Sequence, residues 1–209
     1  MRVIVVSDPL CSWCWGMAGA LEVARRELEH DVAFDLILCG INVDSRNPVG
    51  DYGRFRLARL WREVREVTGQ PFAAAPPTEP FVYNSSELCV VLEAVRERRG
   101  APPFDLLWAL QRRFFAEGEN VTAPTRLTEI VRESGEDPDV IELLARSASV
   151  RARTSAGFVL ARSHGTHAMP NLVFDDGSTR RLLAGGYLDA PTLVSTIAGA
   201  LRRNSPPQA

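Results

Sequence analysis

The sequence predicts an α/β fold in which a β-α-β half and a β-β-α half are separated by a block of helices. Three observations carry this prediction. Short apolar runs near both ends, Val3-Ile4-Val5-Val6 and Asn171-Leu172-Val173-Phe174, have the length and β-branched content of strands. Between residues 51 and 148 the apolar positions recur at helical spacing instead. Asp175-Asp176-Gly177 then joins two short late runs as a hairpin turn would.

Taken in order, Met1 to Ser7 reads as the first strand and Met17 to Leu28 as a helix. Ala33 to Ile41 reads as a second strand, apolar enough to be central and covered on both faces. Strand, helix, strand within about forty residues implies parallel pairing through a crossover helix. Asn42 to Gly53 is a loop by composition. Leu57, Leu60, Trp61, Val64 and Val67 then mark a helix closed by Gly69. Asn84 is the expected N-cap of the next helix, with Glu87 as capping-box partner and Gly100 at its end. Phe104 to Phe115 gives a third helix, Thr122 or Thr125 opens a fourth, and Asp137-Pro138 starts a fifth with proline at its first position. Ser149 to Ser163 is one more helix. Asn171–Phe174 and Arg180–Leu183 form the hairpin, and Ala190 to Arg203 is the closing helix. This order is a thioredoxin-type arrangement with an inserted helical subdomain. The expected division is residues 1–50 for the first half, 51–148 for the insertion and 149–209 for the second half. Apolar stripes on the inserted helices must be buried, which predicts a cover over one side of the first strand-to-helix junction.

That junction holds Ser7-Asp8-Pro9-Leu10-Cys11-Ser12-Trp13-Cys14-Trp15-Gly16. Two cysteines separated by two residues, where a strand meets a helix, suit thiol-disulfide chemistry. A thiol at a helix N-terminus lies beside unpaired N–H groups and the positive end of the dipole, which favours thiolate. Cys11 is the expected attacking thiol and Cys14 the resolving one. A structural zinc would need four ligands, and Cys39 and Cys89 stand alone, so both read as small buried hydrophobes. No metal is expected. His164 and His167 read first as loop residues before a strand; the sharper alternative has His167 tuning the Cys11 thiolate. His30 reads as a dipole partner at the end of the first helix. Met169-Pro170 opens the late strand either as a trans proline or as a cis bond that leaves the Met169 backbone free to pair with substrate.

The formal net charge of −2 over 209 residues gives no electrostatic footprint for nucleic acid or an anionic membrane. No run approaches the roughly 20 apolar residues of a membrane span, and the first residues are too short a run for a secretory signal. A cytoplasmic setting is expected. In such a reducing compartment a close cysteine pair is catalytic or metal-binding rather than structural.

With these motifs in place, the chain resembles the DsbA-like branch of the thioredoxin superfamily, and within it the FrnE-like group. Asp8 to Gly16 carries the resemblance, supported by Tyr83 to Ala94, Gln111 to Val121 and Gly185-Gly186-Tyr187. The resemblance implies that Cys11 is the surface nucleophile, Cys14 the buried resolving cysteine and Pro170 a cis-proline facing them. Met169 would tune redox behaviour and, with Trp13 and Pro170, contact substrate. The expected activity is thiol-disulfide exchange on protein or small-molecule disulfides by a monomer or homodimer. It needs no cofactor beyond the Cys11–Cys14 disulfide, with glutathione as reductant or substrate. Two alternatives are a glutathione-dependent kappa-class-like transferase or isomerase, and a non-enzymatic metal-binding or interaction module using Cys11, Cys14 and His167.

Overall fold

The structure, a computed structural model, describes residues 1–163 and 168–204. One sheet of four strands runs in the order β2-β1-β3-β4, with β1 at Arg2–Ser7, β2 at Ala33–Leu38, β3 at Asn171–Asp175 and β4 at Arg180–Gly185. β1 pairs parallel with β2 and antiparallel with β3, and β3 and β4 form the expected hairpin. Val3 to Val6 and Leu172 to Phe174 are buried on both faces, as the continuous apolar runs require. β2 departs from expectation. It ends at Leu38 and forms an edge of the sheet rather than its centre, and Ala33 is exposed. Among the described residues no strand pairs with its other side, and the chain leaves it through the loop at residues 39–50.

The first helix is built in two pieces, α1 (Ser12–Gly16) and α2 (Ala18–Glu27), joined at Met17. α2 ends three residues before His30, whose imidazole lies 3.5 Å from Glu29 on the surface. Seven further helices follow: α3 (Asp51–Thr68), α4 (Ser86–Arg99), α5 (Phe104–Gln111), α6 (Pro124–Glu133), α7 (Pro138–Arg146), α8 (Ala148–Ser163) and α9 (Ala190–Asn204). Gly69 and Gly100 close α3 and α4 in the left-handed conformation, the role their positions predict. Asp137 caps α7 by accepting from the Asp139 N–H.

Two caps differ from the sequence reading. Asn84 does not cap α4. It sits one residue earlier and turns back on itself, accepting from the N–H and the hydroxyl of Ser86, while Glu87 reaches across to Arg151. Ser85 holds the cap position, and its hydroxyl is directed elsewhere, into the site described below. α6 begins after Ala123 with Pro124 in its first turn, so neither Thr122 nor Thr125 opens it. Proline's preset φ makes it as good a start as a side-chain cap.

α5 runs directly into a π-helical turn, Arg112–Ala116. The wider turn lets the adjacent Phe114 and Phe115 both point inward, and both are fully buried. They meet Trp61 of α3 edge-on at 5.4 and 5.3 Å, and Phe72 and Phe81 complete the cluster. α3 also packs on α1, with Val64 and Thr68 against Gly16. The helices inserted between β2 and β3 are thereby bound to the cysteine-bearing segment.

Candidate active site

The sheet register brings the predicted site residues to one end. β1 leaves the sheet at Ser7, where the Cys39 N–H donates to the Ser7 carbonyl at 3.1 Å. Val6 lies opposite Asn171, which sets Met169-Pro170 beside the same exit. The Met169–Pro170 bond is cis. The Pro170 carbonyl accepts from Gly186 at 2.8 Å, whereas among the described residues no hydrogen bond engages the Met169 backbone. The Met169 side chain is half-buried and packs with Ile4, Val6, Ala161 and Val173, beside Cys39. Trp13 is half-buried at the start of α1. His164 and His167 lie outside the described residues.

Cys11 is the N-cap of α1, and its sulfur accepts the Cys14 N–H at 3.2 Å. This is the one helix N–H aimed at the sulfur, and it arises because Cys11 takes an extended conformation just before the helix. The two cysteines are equally enclosed, at 7% and 5% exposure. Cys11 is therefore not the surface residue that the resemblance implies. The helical insertion is tied to the residues on either side of Cys11: Tyr83 donates its hydroxyl to the Leu10 carbonyl, Trp15 donates to the Pro71 carbonyl at 2.8 Å, and Gln111 donates to the Asp8 carbonyl at 2.9 Å. Burial, followed by the hydrogen bond and charge of the Cys11 sulfur, holds the Cys14 thiol well above its usual range. All four cysteines are free thiols.

The residue that sequence reasoning missed is Asp8. It is fully buried, three positions before Cys11. One carboxylate oxygen accepts from Leu10 N–H at 2.8 Å, and the other from Ile41 N–H at 3.1 Å and the Ser85 hydroxyl at 2.7 Å. Its own carbonyl accepts from Cys11 N–H at 3.2 Å and from Gln111. Cys39 and Cys89 are not plain hydrophobes. Both direct their thiols at the same Asp8 oxygen, at 3.8 and 3.7 Å. Burial, followed by the Asp8 charge, pushes both thiols well above their usual range. For Asp8 itself burial prevails over the hydrogen bonds from Leu10, Ser85 and Ile41, and the carboxyl is pushed up to about 6. The available signal was an aspartate closing an apolar strand, since such a group must be either exposed or fully hydrogen-bonded. Apart from Leu10 and Cys11, its partners lie 31 to 103 residues away, beyond any local pattern.

A groove of about 950 Å³ runs between the loop after β2 and α3, lined among others by Asn42, Ser45, Tyr52, Phe55, Arg56 and Tyr83. Tyr83 joins its floor to the Leu10 carbonyl, next to Cys11. Tyr52 and Phe55 are 74% and 62% exposed, unusual for aromatic side chains on a helix.

No protein-family model matches the sequence, and no curated protein does. Solved structures do match. A protein described as a "putative protein disulfide isomerase" from Nitrosomonas europaea is 25% identical over 98% of this chain and 100% of its own, with a TM-score of 0.87. The cytosolic disulfide reductase DsbM from Pseudomonas aeruginosa is 19% identical over 97% and 100%, with a TM-score of 0.75. A 2-hydroxychromene-2-carboxylate isomerase is 14% identical over 97% of both chains, with a TM-score of 0.66. The fold is that of the DsbA-like branch of the thioredoxin superfamily, with helices inserted between its two halves.

Proposed function

We propose that the chain is a thiol-disulfide oxidoreductase in which Cys11 attacks and Cys14 resolves. The observation that carries this reading is the asymmetry of the pair. The Cys11 sulfur caps α1 and receives the Cys14 N–H, while the Cys14 thiol is held protonated beside it. The N–H accepted at the N-cap supports the Cys11 sulfur as the attacking one, and a retained proton keeps Cys14 in reserve.

In the reducing direction the Cys11 thiolate attacks one sulfur of a substrate disulfide. A Cys11–substrate bond forms, the substrate disulfide breaks, and its departing thiolate takes up a proton. Cys14 then gives up its proton and attacks the Cys11 sulfur. The second substrate thiol leaves, so the substrate has gained two electrons and the pair has become a disulfide. The same steps reversed deliver a disulfide to a dithiol. Asp8 supports the first step by holding the Leu10 and Cys11 turn.

The Met169 backbone beside the β1 exit, which no hydrogen bond engages among the described residues, supports pairing with an extended substrate, with Met169, Pro170 and Trp13 as contacts. The exposed Tyr52 and Phe55 along the groove support a polypeptide disulfide as substrate. Glutathione is the proposed small-thiol partner, supported by the DsbM structure determined with GSH. That reductase is cytosolic, which supports a cytoplasmic setting here. Among the described residues no helix is long and apolar enough to cross a membrane. The transferase reading is not favoured, because it leaves the Cys14 thiol beside Cys11 without a task.

The test is trapping. Cys14→Ser should accumulate a mixed disulfide between Cys11 and substrate that dithiothreitol releases. Cys11→Ser should accumulate none. Trapping by Cys11→Ser alone would reverse the roles, equal trapping by both variants would refute the division of roles, and trapping by neither, with no insulin reduction by the wild type, would end the reading.

A further inference from the structure

We infer that Cys39 and Cys89 are a second dithiol, which a small disulfide such as oxidised glutathione converts to an internal disulfide stapling the β2 exit to α4. The pair is separate from Cys11 and Cys14 and does not depend on their roles.

Register brings the two residues together. The Ile41 N–H donates to the Ser85 hydroxyl at 2.7 Å, and the Ser85 N–H donates to the Ile41 carbonyl at 3.1 Å. The chain leaving β2 is thereby clamped to the start of α4. Further along the same two elements, Arg96 donates to the Leu36 carbonyl and pairs with Asp35 at 3.1 Å. Cys39 lies two residues before Ile41, and Cys89 lies four residues after Ser85. Two residues of strand and about one turn of helix cover similar lengths, roughly 6 Å. Between the clamp and Arg96 the two cysteines therefore face each other.

Their thiols meet at one atom. Both point at the same Asp8 oxygen, at 3.8 and 3.7 Å, so the sulfurs are no further apart than those two distances placed end to end. Facing positions on two packed elements are the placement a disulfide requires, with closure by rotation of the side chains off the carboxylate. Asp8 keeps its stronger donors when they leave: the Ser85 hydroxyl and the N–H groups of Ile41 and Leu10. The two thiols also differ in access, Cys39 being half-buried and Cys89 wholly enclosed. Cys39 is thus the sulfur a small disulfide reaches, and Cys89 the one that resolves.

Cys39 attacks one sulfur of oxidised glutathione, whose disulfide breaks, and the first glutathione leaves with the Cys39 proton. Cys89 then attacks the Cys39 sulfur, and the second glutathione leaves with the Cys89 proton. The pair has lost two electrons and two protons, and the oxidised glutathione has become two thiols. Burial raises both thiols, which slows the attack but makes each a poor leaving group, so the bond once formed exchanges slowly. Its place in the chain gives it a consequence. Every residue lining the 950 Å³ groove, from Asn42 to Tyr83, falls between the two cysteines. Closing the bond pins both ends of the segment that carries the groove and constrains the same segment in the unfolded chain.

The experiment uses the full chain carrying Cys11→Ser and Cys14→Ser, which leaves Cys39 and Cys89 as its only thiols. Incubated with oxidised glutathione, it should lose two hydrogens by intact mass, retain no glutathione and yield a linked Cys39–Cys89 peptide. With Cys89→Ser added, the reaction should stop at one glutathione on Cys39. The linked form should unfold at a urea midpoint higher by about 1 M, a gain that dithiothreitol abolishes. A chain that keeps its reduced mass, or takes up glutathione without linking, overturns the pair, and an unchanged midpoint overturns the staple. Should the serine variant fail to fold, the wild type decides. After exhaustive oxidation and denaturation it should show neither a free thiol nor bound glutathione, whereas Cys39 and Cys89 recovered unlinked would overturn the inference. Because the variant lacks Cys11 and Cys14, its failure to link leaves the thiol-disulfide reading of that first pair standing.

Discussion

Replacing Asp8 by asparagine should flatten the dependence of stability on pH, by an amount the structure sets. The carboxyl moves from an ordinary value of 3.8 to about 6 on folding. At about 1.4 kcal/mol per unit, that shift corresponds to about 3 kcal/mol over the full titration. A carboxyl whose value is raised by folding binds its proton more tightly in the native state. Its stabilising contribution is complete below 3.8 and is lost as pH rises through about 6. Between about pH 4.5 and about pH 7.5 the loss amounts to about 2 kcal/mol. Asparagine carries no such titration. Its amide nitrogen cannot accept from Ile41 or Ser85, which lowers stability, but by the same amount at every pH. The assay is urea unfolding of both proteins at the two pH values. With a slope of about 3 kcal/mol per molar urea, the difference between their midpoints should swing by about 0.6 M, the wild type doing relatively better in acid. Midpoints that move in parallel across this range would show that Asp8 titrates as it does in the unfolded chain. The burial argument would then be wrong.

Three further outcomes follow from the packing. Trp61→Ala should lose about 3–5 kcal/mol, because the ring fills the junction of Phe72, Phe114 and Phe115; Trp61→Phe should lose far less, since the buried indole N–H has no partner to forfeit, and equal losses in chemical denaturation would refute this. Gly40→Ala should destabilise by about 2 kcal/mol or more, read as a lowered Tm, because a left-handed backbone disfavours a Cβ. The added carbon would also meet Val43 at 2.8 Å and the Phe158 ring at 2.9 Å; a loss within about 0.5 kcal/mol would mean that the loop relaxes freely. Gln111→Leu should lose about 1 kcal/mol, since the Asp8 carbonyl keeps Cys11 as a donor and the Gln111 carbonyl oxygen has no partner to lose. A loss beyond about 3 kcal/mol in urea unfolding would show that this bond holds the insertion in place.

Local chemistry made much of this molecule legible in advance. Val3 to Val6 could only be a buried strand, Gly69 and Gly100 could end helices as few other residues can, and Asp137-Pro138 announced α7. Each signal acts within a few residues of itself. Errors arose where a longer-range partner outweighed a local preference. Asn84 has the chemistry of a cap, yet Ser85 holds the position while sending its hydroxyl to Asp8. Cys39 and Cys89 sit in apolar surroundings, yet each finds the same carboxylate. β2 has a central strand's composition and an edge strand's place, because strand order depends on where β3 returns.

The sequence by itself determined the two halves, the helical block between them, and the cysteine pair at a strand-to-helix junction, since periodicity, turn residues and motif spacing are local quantities. Tertiary structure alone decided that Cys11 is as enclosed as Cys14, that the Met169–Pro170 bond is cis, and that Asp8 is fully buried against the Leu10–Cys11 turn. Burial and charge are summed over everything that packs around a group. For Asp8 that sum is made by Ile41, Ser85, Cys89 and Gln111, from three places the chain joins only on folding.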